Sequence, residues 1–292
     1  MTFALAIHGG AGARPDTDYS LQEAHMAALI AQGGKMLESG ASALDAVTAM
    51  VSDMESSGLY VAGKGSAPNT AGMIELDASV MTGPSRQAGA VSAVRDLVHP
   101  VEAARKVMTE SGHVMLTGEA ARKFAIEHGL EAIENPDAYY TEHTKHGSSL
   151  ADINHGTVGA VALDIDGNLA AATSTGGVFN KRPGRVGDTP LIGAGTWADD
   201  LVAVSGTGLG EAFIRCSAAH DVAARMHYAG TPVYKAVCET LDEIRKCGGD
   251  GGIIAIDRNG TIAMPFNSDG MKRAAVSDTR PAVVRIFQPE TG

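Results

Sequence analysis

The 292-residue sequence is poor in aromatic residues and in positive charge. Phe, Trp and Tyr make up 4% of the residues, whereas there are 36 glycines, so a core of this chain has to be close-packed from small side chains. Lys and Arg number 23 against 34 Asp and Glu, which gives a formal net charge of -11. That charge argues against a nucleic-acid partner, because phosphate binding needs a basic face.

Long apolar runs and paired cysteines are also missing. Residues 1–7 have no basic flank and too short an apolar stretch for a signal peptide or a membrane span, so we expect a cytoplasmic protein with no membrane partner. The cysteines are an odd number at irregular spacing, which fits neither a disulfide framework nor a metal site. We interpret Cys216, Cys238 and Cys247 as inert packing residues in a reducing compartment.

A serine-hydrolase signature is absent as well. His8 precedes two glycines, as in the oxyanion loop of esterases, but no Gly-x-Ser-x-Gly elbow accompanies it. We therefore interpret His8 as a structural residue at the end of a strand.

What is present is a threonine in an unusual place. Thr157 follows Gly156 and opens the apolar run 157–164, which predicts a strand in mid-sequence. A threonine hydroxyl needs a group that takes its proton, and an α-amine on the same residue has a suitable pKa of roughly 7.7 to 8.0. That amine exists only if the bond between Gly156 and Thr157 is broken. We therefore predict cleavage there, with nucleophile and base on Thr157.

The two flanks of Thr157 differ in pattern. Residues 131–156 are polar with little apolar periodicity, which indicates an exposed, flexible linker. Residues 158–164 and 168–174 instead predict two strands joined by the two-residue turn Asp166-Gly167. The nucleophile would then begin a central strand.

The remaining pattern predicts a layered α/β protein in one domain, residues 1–292. Start signals at Ser20, Ser42 and Thr117 and apolar periodicity elsewhere predict helices at 20–37, 42–51, 100–108, 117–126, 211–226 and 233–246. Strands are predicted at 4–7, 74–80, 88–94, 253–256 and 261–263. Two packed sheets with helices outside suit this arrangement.

Six segments resemble, in the expected order, the plant-type L-asparaginase and isoaspartyl peptidase family of N-terminal nucleophile hydrolases. They are residues 6–13 (AIHGGAGA), 75–78 (ELDA), 156–164 (GTVGAVALD), 167–177 (GNLAAATSTGG), 183–188 (PGRVGD) and 206–211 (GTGLGE). The likeness spans nearly the whole chain. It implies an αββα sandwich, self-cleavage into an α subunit, 1–156, and a β subunit, 157–292, and a homodimer of such two-chain protomers.

The resemblance also implies a role for each catalytic residue. Thr157 is the nucleophile, and the hydroxyl of Thr175 orients it. The hydroxyl of Thr207 and the backbone N–H of Gly208 stabilise the oxyanion of the tetrahedral intermediate. Loss of one such donor typically costs about 2.7 to 4 kcal/mol.

Substrate recognition follows from charge. An aspartyl group carries an α-carboxylate and an α-ammonium group, and the loop with Arg185 and Asp188 offers both opposite signs. An ordinary surface ion pair is the alternative. The resemblance assigns the α-carboxylate to Arg185 and Gly210, and the α-ammonium group to Asp188 and the Gly208 carbonyl.

One motif departs from the family pattern. Relatives commonly have Phe-Asn-Ala-Gly where this chain has YVAG at residues 60–63. Val61 cannot donate the hydrogen bonds of an Asn amide, so either another polar group such as Asn69 replaces it or the local geometry differs.

The same region aligns with a loop that binds a structural sodium ion through backbone carbonyls in the family. Lys64 brings a positive charge to this loop. No cofactor is expected for catalysis. The counterparts of the sodium ligands are Met54, Glu55, Ser57, Tyr60, Ala62 and Lys64.

The resemblance implies a threonine hydrolase that releases L-aspartate from isoaspartyl dipeptides and from L-asparagine. A glycosylasparaginase or a taspase-like protease on the same scaffold is an alternative, although no secretory leader and no large insertion is seen. A non-enzymatic protein that holds phosphate at 206–210 is another, although that run lacks the Lys-Ser/Thr ending of a P-loop. Ammonia, a neutral residue, and Arg or Lys all stay open as the leaving group.

Overall fold

A computed structural model of the chain describes residues 2–140 and 156–288, which form two β-sheets between layers of helices. The strands are β1 (Ala4–Ala11), β2 (Leu76–Thr82), β3 (Ala88–Val94), β4 (Met115–Thr117), β5 (Val158–Leu163), β6 (Leu169–Thr175), β7 (Thr196–Ala198), β8 (Val202–Gly208), β9 (Gly251–Asp257), β10 (Ile262–Ala263), β11 (Met271–Ser277) and β12 (Arg280–Arg285). The helices are α1 (Ser20–Glu38), α2 (Ala43–Ser57), α3 (Pro100–Glu110), α4 (Gly118–Glu127), α5 (Pro136–Tyr139), α6 (Gly210–Cys216), α7 (Ala218–Ala229) and α8 (Val233–Lys246).

The two sheets differ in size and in the way the chain runs through them. The larger has eight strands in the order β12-β11-β1-β5-β6-β2-β3-β4, and the smaller has four in the order β10-β9-β8-β7. Strands from before and after Thr157 are interleaved in the larger sheet. β1 lies between β11 and β5, and β6 pairs with β2.

Three apolar layers hold these elements together. Helices α1 to α4 cover the outer face of the larger sheet, and their apolar layer includes Ile7 of β1 and Met50 of α2. Helices α6 to α8 cover the smaller sheet, and their apolar layer includes Phe213 and Ile244. A third, mostly small-residue layer lies between the two sheets. The predicted αββα sandwich is therefore confirmed.

The predicted central hairpin is also confirmed. β5 and β6 pair antiparallel from Val158 opposite Ser174 to Leu163 opposite Leu169. The turn is fixed by the buried carboxylate of Asp164, which accepts hydrogen bonds from the backbone N–H groups of Asp166 at 3.1 Å and Asn168 at 2.8 Å. This rigid hairpin places Thr157 at the beginning of an internal strand.

Three local predictions about helices are wrong. The helix predicted at 211–226 is two helices, α6 and α7, which are broken at Ser217 by a left-handed backbone conformation with φ 48°. Ser20 and Thr117 form no side-chain cap, and the N–H of Ser20 instead bonds the carboxylate of Asp18. The cap at Ser42 is confirmed, because its hydroxyl accepts from the N–H of Asp45 at 3.1 Å.

Most of the linker predicted at 131–156 lies outside the described residues. Its first part, 131–140, contains the short helix α5 and a single bridge between Ala132 and Leu97. Among the described residues, no helix combines the length and the hydropathy needed to span a bilayer.

Candidate active site

A polar cleft opens at one end of the layer between the two sheets. It brings together six residues from the predicted site with two from the neighbouring loop. Its lining residues are Gly156, Thr157, Thr175, Gly177, Val178, Arg185, Asp188 and Gly208. Thr157 is only 7% exposed there, so most of the residue is buried.

The hydroxyl of Thr175 connects Thr157 to the peptide bond before it. The Thr157 hydroxyl donates to Thr175 Oγ1 over 3.2 Å, and the Thr175 hydroxyl donates to the carbonyl oxygen of Gly156 over 2.7 Å. Thr175 Oγ1 also accepts from the N–H of Gly177 at 3.0 Å, which fixes its position. These contacts connect the Thr157 hydroxyl to the Gly156 carbonyl through one intervening hydroxyl.

Val61 lies on the other side of the same peptide bond. A β-carbon on Gly156 would overlap the Val61 side chain, while the Val61 carbonyl accepts from the N–H of Gly176 at 2.9 Å. Asn69 does not take the place of the missing family Asn, because its side chain bonds Glu75 and the backbone of its own loop. The local geometry differs instead: an apolar side chain packs against Gly156.

Thr207 and Gly208, the residues expected to stabilise an oxyanion, lie where β8 ends. Thr207 Oγ1 is buried and accepts from the N–H of Ala11 at 3.2 Å, which leaves the hydroxyl hydrogen to donate elsewhere. Gly208 lines the cleft and cannot carry a side chain, because a β-carbon would overlap the carbonyl of Asp250. The contact with Ala11, in the first strand, had no signal in the spacing of these residues.

The two charged residues both lie next to Gly210. A β-carbon on Gly210 would be 2.8 Å from Asp188 Oδ1 and 2.9 Å from Arg185 Nη2. Arg185 is held by Glu211, whose two carboxylate oxygens accept from Nε at 3.0 Å and from Nη2 at 2.9 Å. This bidentate pair leaves Nη1 of Arg185 outside the ion pair and makes Glu211 a part of the site that the sequence reasoning did not name.

Asp188 is a buried carboxyl with an unpaired oxygen. Its Oδ2 atom has no hydrogen-bond partner within the described residues. Burial raises the pKa of Asp188 to about 7, and the guanidinium of Arg185 only partly offsets this. A buried carboxylate with a vacant acceptor position is suited to bind a cationic group.

The loop with Arg185 and Asp188 is supported from below by the segment 75–78. Lys181 is 4% exposed and donates to the backbone carbonyl of Glu75 at 2.7 Å. The Glu75 carboxylate accepts from the N–H of Gly184 at 2.9 Å. Burial lowers the pKa of Lys181, while the nearby Asp77 and Glu75 carboxyls act in the opposite direction. Through these contacts, Glu75 of the ELDA motif holds the loop with Arg185 and Asp188 in place.

His8 lies inside β1 and is hydrogen-bonded to the backbone of Thr157. Its Nδ1 is 3.1 Å from the Thr157 carbonyl oxygen, and its Nε2 is 2.9 Å from the hydroxyl of Ser205. Burial lowers the pKa of His8 to about 3, so the imidazole is neutral. The side chain is thus a structural element of the site rather than a general base.

The loop aligned with the family sodium site has crowded backbone oxygens. A β-carbon on Gly63 would overlap the Glu55 carbonyl oxygen, and one on Gly65 would overlap that of Tyr60. Carbonyl oxygens are the ligands that hard cations take, and each has two lone pairs. The backbone carbonyls of Glu55 and Tyr60 thus lie directly against the glycines of this loop.

The side chains of this loop are directed to other tasks. The buried Glu55 carboxylate accepts from the Ser174 hydroxyl at 2.5 Å and from the N–H of Val101 at 3.0 Å. The Lys64 ammonium lies 5.9 Å from the centre of the Tyr139 ring. Among the described residues, no group of three or more His, Cys, Asp or Glu side chains is placed to bind a metal ion.

Two of the three cysteines are neighbours in space. The sulfur atoms of Cys216 and Cys247 are 3.4 Å apart, at the ends of α6 and α8, and all three thiols are free. Burial raises the pKa of Cys216 to about 11, which disfavours its thiolate.

Two sheets face to face, covered by helices and opening in a threonine-containing cleft, define the N-terminal nucleophile hydrolase fold. The family described as Asparaginase matches residues 1–149 and 135–286. The chain belongs to this family and is an amidohydrolase. A non-enzymatic phosphate-binding protein is therefore excluded.

Curated relatives extend over nearly the full chain. "Isoaspartyl peptidase" of Escherichia coli strain K12 is 48% identical over 295 residues, covering 92% of this chain and 91% of that protein. "Isoaspartyl peptidase/L-asparaginase" of Mus musculus is 41% identical and covers 95% of this chain and 89% of its own length. "Probable isoaspartyl peptidase/L-asparaginase 2" of Arabidopsis thaliana is 34% identical, with coverages of 98% and 99%.

Proposed function

We propose that this chain is an isoaspartyl peptidase with L-asparaginase activity that matures by cleaving itself before Thr157. The observation that carries the proposal is the position of the Thr175 hydroxyl, between the Thr157 hydroxyl and the Gly156 carbonyl. The names of the relatives support the substrate class.

Self-cleavage follows from this arrangement. Thr157 Oγ1 attacks the carbonyl carbon of Gly156, while its proton passes to Thr175 Oγ1 and the Thr175 proton passes to the carbonyl oxygen of Gly156. The negative charge that would develop on that oxygen is thereby neutralised. When the intermediate collapses, the C=O bond re-forms, the proton on its oxygen passes to the departing nitrogen, the C–N bond breaks and an ester is left. Water then hydrolyses the ester to the Gly156 carboxylate, and the free α-amine of Thr157 remains.

The mature site would hold an aspartyl group by its two charges. Arg185, with a backbone contact at Gly210, binds the α-carboxylate, and Asp188 binds the α-ammonium group next to the Gly208 carbonyl. This orientation presents the side-chain carbonyl to Thr157.

The chemical step then uses the new amino terminus. The α-amine takes the proton of the Thr157 hydroxyl as it attacks, and the hydroxyl of Thr207 with the N–H of Gly208 stabilises the oxyanion. The leaving amine, ammonia or a residue, departs with a proton from the α-amine. Water attacks the resulting ester, and L-aspartate is released.

The assembled enzyme we propose is a homodimer of two-chain protomers in the cytoplasm. A sodium ion bound by the backbone carbonyls of Glu55 and Tyr60 would brace the loop that packs against Gly156; no cofactor takes part in catalysis. Its substrates are small molecules.

A denaturing gel of the purified protein tests maturation. Wild type is expected to separate into fragments 1–156 and 157–292, and Thr157→Ala is expected to stay intact. Thr141→Ala, a polar linker position before the cleavage point, serves as the matched control and should cleave like wild type. An active wild type that remains one polypeptide would refute the mechanism.

Turnover of three substrates tests the activity and the leaving group. L-asparagine, β-Asp-Leu and β-Asp-Arg release ammonia, a neutral residue and a cationic residue, so their kcat/KM values rank the alternatives. We expect all dipeptide turnover to require Thr157. No aspartate release from any of the three by cleaved protein would overturn the proposed activity.

A further inference from the structure

A row of polar residues crosses the larger sheet directly behind the cleft. His8 on β1 pairs with Gly159 on β5, Gly159 pairs with Thr173 on β6, and Thr173 pairs with Ser79 on β2. The next residues outward along β6 and β2, Thr175 and Asp77, are also a pair. The row is thus one step deeper than the cleft, on the face that meets the second sheet.

The second sheet completes this row with one pair of its own. Thr196 on β7 pairs with Ser205 on β8. Ser205 lies between His8 Nε2, at 2.9 Å, and Thr173 Oγ1, at 2.8 Å. Thr196 lies between Thr173 Oγ1, at 2.6 Å, and the Ser79 hydroxyl, at 2.7 Å. The hydrogen bonds therefore cross back and forth between the sheets.

Both ends of this chain of hydrogen bonds reach the backbone of the active site. At one end His8 bonds the carbonyl of Thr157, and at the other the Ser79 hydroxyl lies 2.6 Å from the carbonyl of Thr189, the residue after Asp188. All five side chains are fully buried.

A glycine provides the space for this series of hydrogen bonds. A β-carbon on Gly159 would overlap both the Ser205 hydroxyl and the His8 ring, so only glycine fits at the single position of the row that has no side chain.

The directions of the hydrogen bonds between the Thr157 carbonyl and Ser79 are fixed by chemistry. A carbonyl only accepts, so His8 Nδ1 carries the hydrogen toward Thr157, and in the neutral ring Nε2 must accept from Ser205. Each hydroxyl has one hydrogen. Ser205 must then accept from Thr173, Thr173 from Thr196, and Thr196 from Ser79. The single hydrogen of Ser79 is shared between Thr196 Oγ1, at 2.7 Å, and the Thr189 carbonyl oxygen, at 2.6 Å. The chain is a one-way series that ends on the nucleophile.

We infer that Ser79, Thr196, Thr173, Ser205 and His8 form a positioning relay, which fixes the backbone of Thr157 relative to the loop that carries Asp188. The inference rests on the proposed hydrolytic function. Because the relay bonds the Thr157 carbonyl, it persists after the bond before Thr157 is broken. It sets the rotation of the Thr157 backbone, and with it the directions of the α-amine and the hydroxyl.

Removal of the central hydroxyl tests the relay. Thr173→Val keeps the shape of the side chain but leaves Ser205 without its donor and Thr196 without its acceptor. We expect kcat for an isoaspartyl dipeptide to fall about tenfold to a hundredfold, with a smaller change in KM. Thr173→Ser keeps the hydroxyl and should restore most of the activity. Thr196→Val breaks the next bond and should act like Thr173→Val.

A matched control separates positioning from stability. Within the described residues, the hydroxyl of the buried Thr48 bonds only the helix carbonyl of Leu44, so Thr48→Val should lower the melting temperature without changing kcat. If Thr173→Val loses stability like Thr48→Val and keeps the wild-type kcat, the relay is only structural and the inference is wrong.

The ring nitrogens of His8 give a second readout that needs no activity. In ¹⁵N-histidine NMR spectra, the relay requires hydrogen on Nδ1 and an acceptor shift on Nε2, and Thr173→Val should move the Nε2 shift. Hydrogen on Nε2 in the wild type would overturn the inference even if the protein hydrolyses its substrates. A cleaved wild type with no turnover would instead refute the proposed function.

Discussion

The side chain of Val61 fills the space in which a β-carbon on Gly156 would lie. A glycine before Thr157 is therefore a packing requirement of this chain. Gly156→Ala would push the peptide bond away from the Thr175 hydroxyl, and overpacking of this kind typically costs about 1–3 kcal/mol.

We expect Gly156→Ala to slow self-cleavage at least about tenfold, followed as the loss of full-length chain on denaturing gels. The double variant Gly156→Ala/Val61→Ala has room for the added methyl group and should recover most of the rate. Val61→Ala alone should cleave like wild type. Equal rates for the single and double Gly156 variants would show that the contact is irrelevant.

Self-cleavage should depend on the hydroxyl group of Thr175 more than on the size of its side chain. Thr175→Val removes the donor to the Gly156 carbonyl, and loss of such a donor typically slows acyl transfer by about 10²–10³-fold. Thr175→Ser keeps the hydroxyl and is expected to cleave within about tenfold of wild type. A time course of the precursor measures both, and rapid cleavage of Thr175→Val would rule out the proton path through this residue.

Asp188 should make stability depend on pH. Its pKa is raised to about 7 in the folded protein, so between the ordinary value of about 4 and pH 7 the folded state binds more protons than the unfolded state. Stability contributed by this group is therefore greatest at low pH and is lost as pH rises to about 7.

Asp188→Asn should consequently raise the melting temperature more at pH 8 than at pH 4.5. The comparison is made in the uncleaved Thr157→Ala background, so that only one chain unfolds. Asp166→Asn changes an exposed carboxyl in the β5–β6 turn and is the matched control. A gain from Asp188→Asn that is equal at both pH values would contradict the proposed burial of its charge.

Arg185 should not be replaceable by lysine. A guanidinium can bond both oxygens of Glu211 and still offer Nη1 to a substrate carboxylate, whereas an ammonium group has no such planar fork. We expect Arg185→Lys to lower kcat/KM for isoaspartyl dipeptides about tenfold or more, mainly through KM, and to leave self-cleavage unchanged. Arg182→Lys, an exposed arginine of the same loop, should change neither quantity. Wild-type kinetics in Arg185→Lys would remove Arg185 from the binding site.

Local patterns in the sequence were sufficient for much of the fold. The β5–β6 hairpin was predictable because Asp166-Gly167 lies between two apolar stretches of matching length. The break at Ser217 was not, since a left-handed serine inside a helical pattern has no composition signal and is imposed by tertiary packing.

The site was predictable only where its residues fall in contiguous motifs. His8 bonds groups 149 and 197 positions away, and no spacing rule links such residues. The same is true of Cys216 and Cys247, whose sulfurs meet because two helix ends converge. The packing of Val61 against Gly156 likewise depends on how the loop before β2 folds onto β5.

The interleaving of strands in the larger sheet determines how two fragments cut before Thr157 would stay together. Because β1 lies between β11 and β5, and β6 pairs with β2, a cut before Thr157 would give two pieces, neither of which has all its strands of the larger sheet in one continuous block. Dilution alone could not separate the two polypeptides, because each would have to abandon paired edges within a buried layer. Fragments 1–156 and 157–292 that are expressed in separate cells and then mixed should fail to combine. Correct strand pairing would therefore require that the chain folds before it is cut.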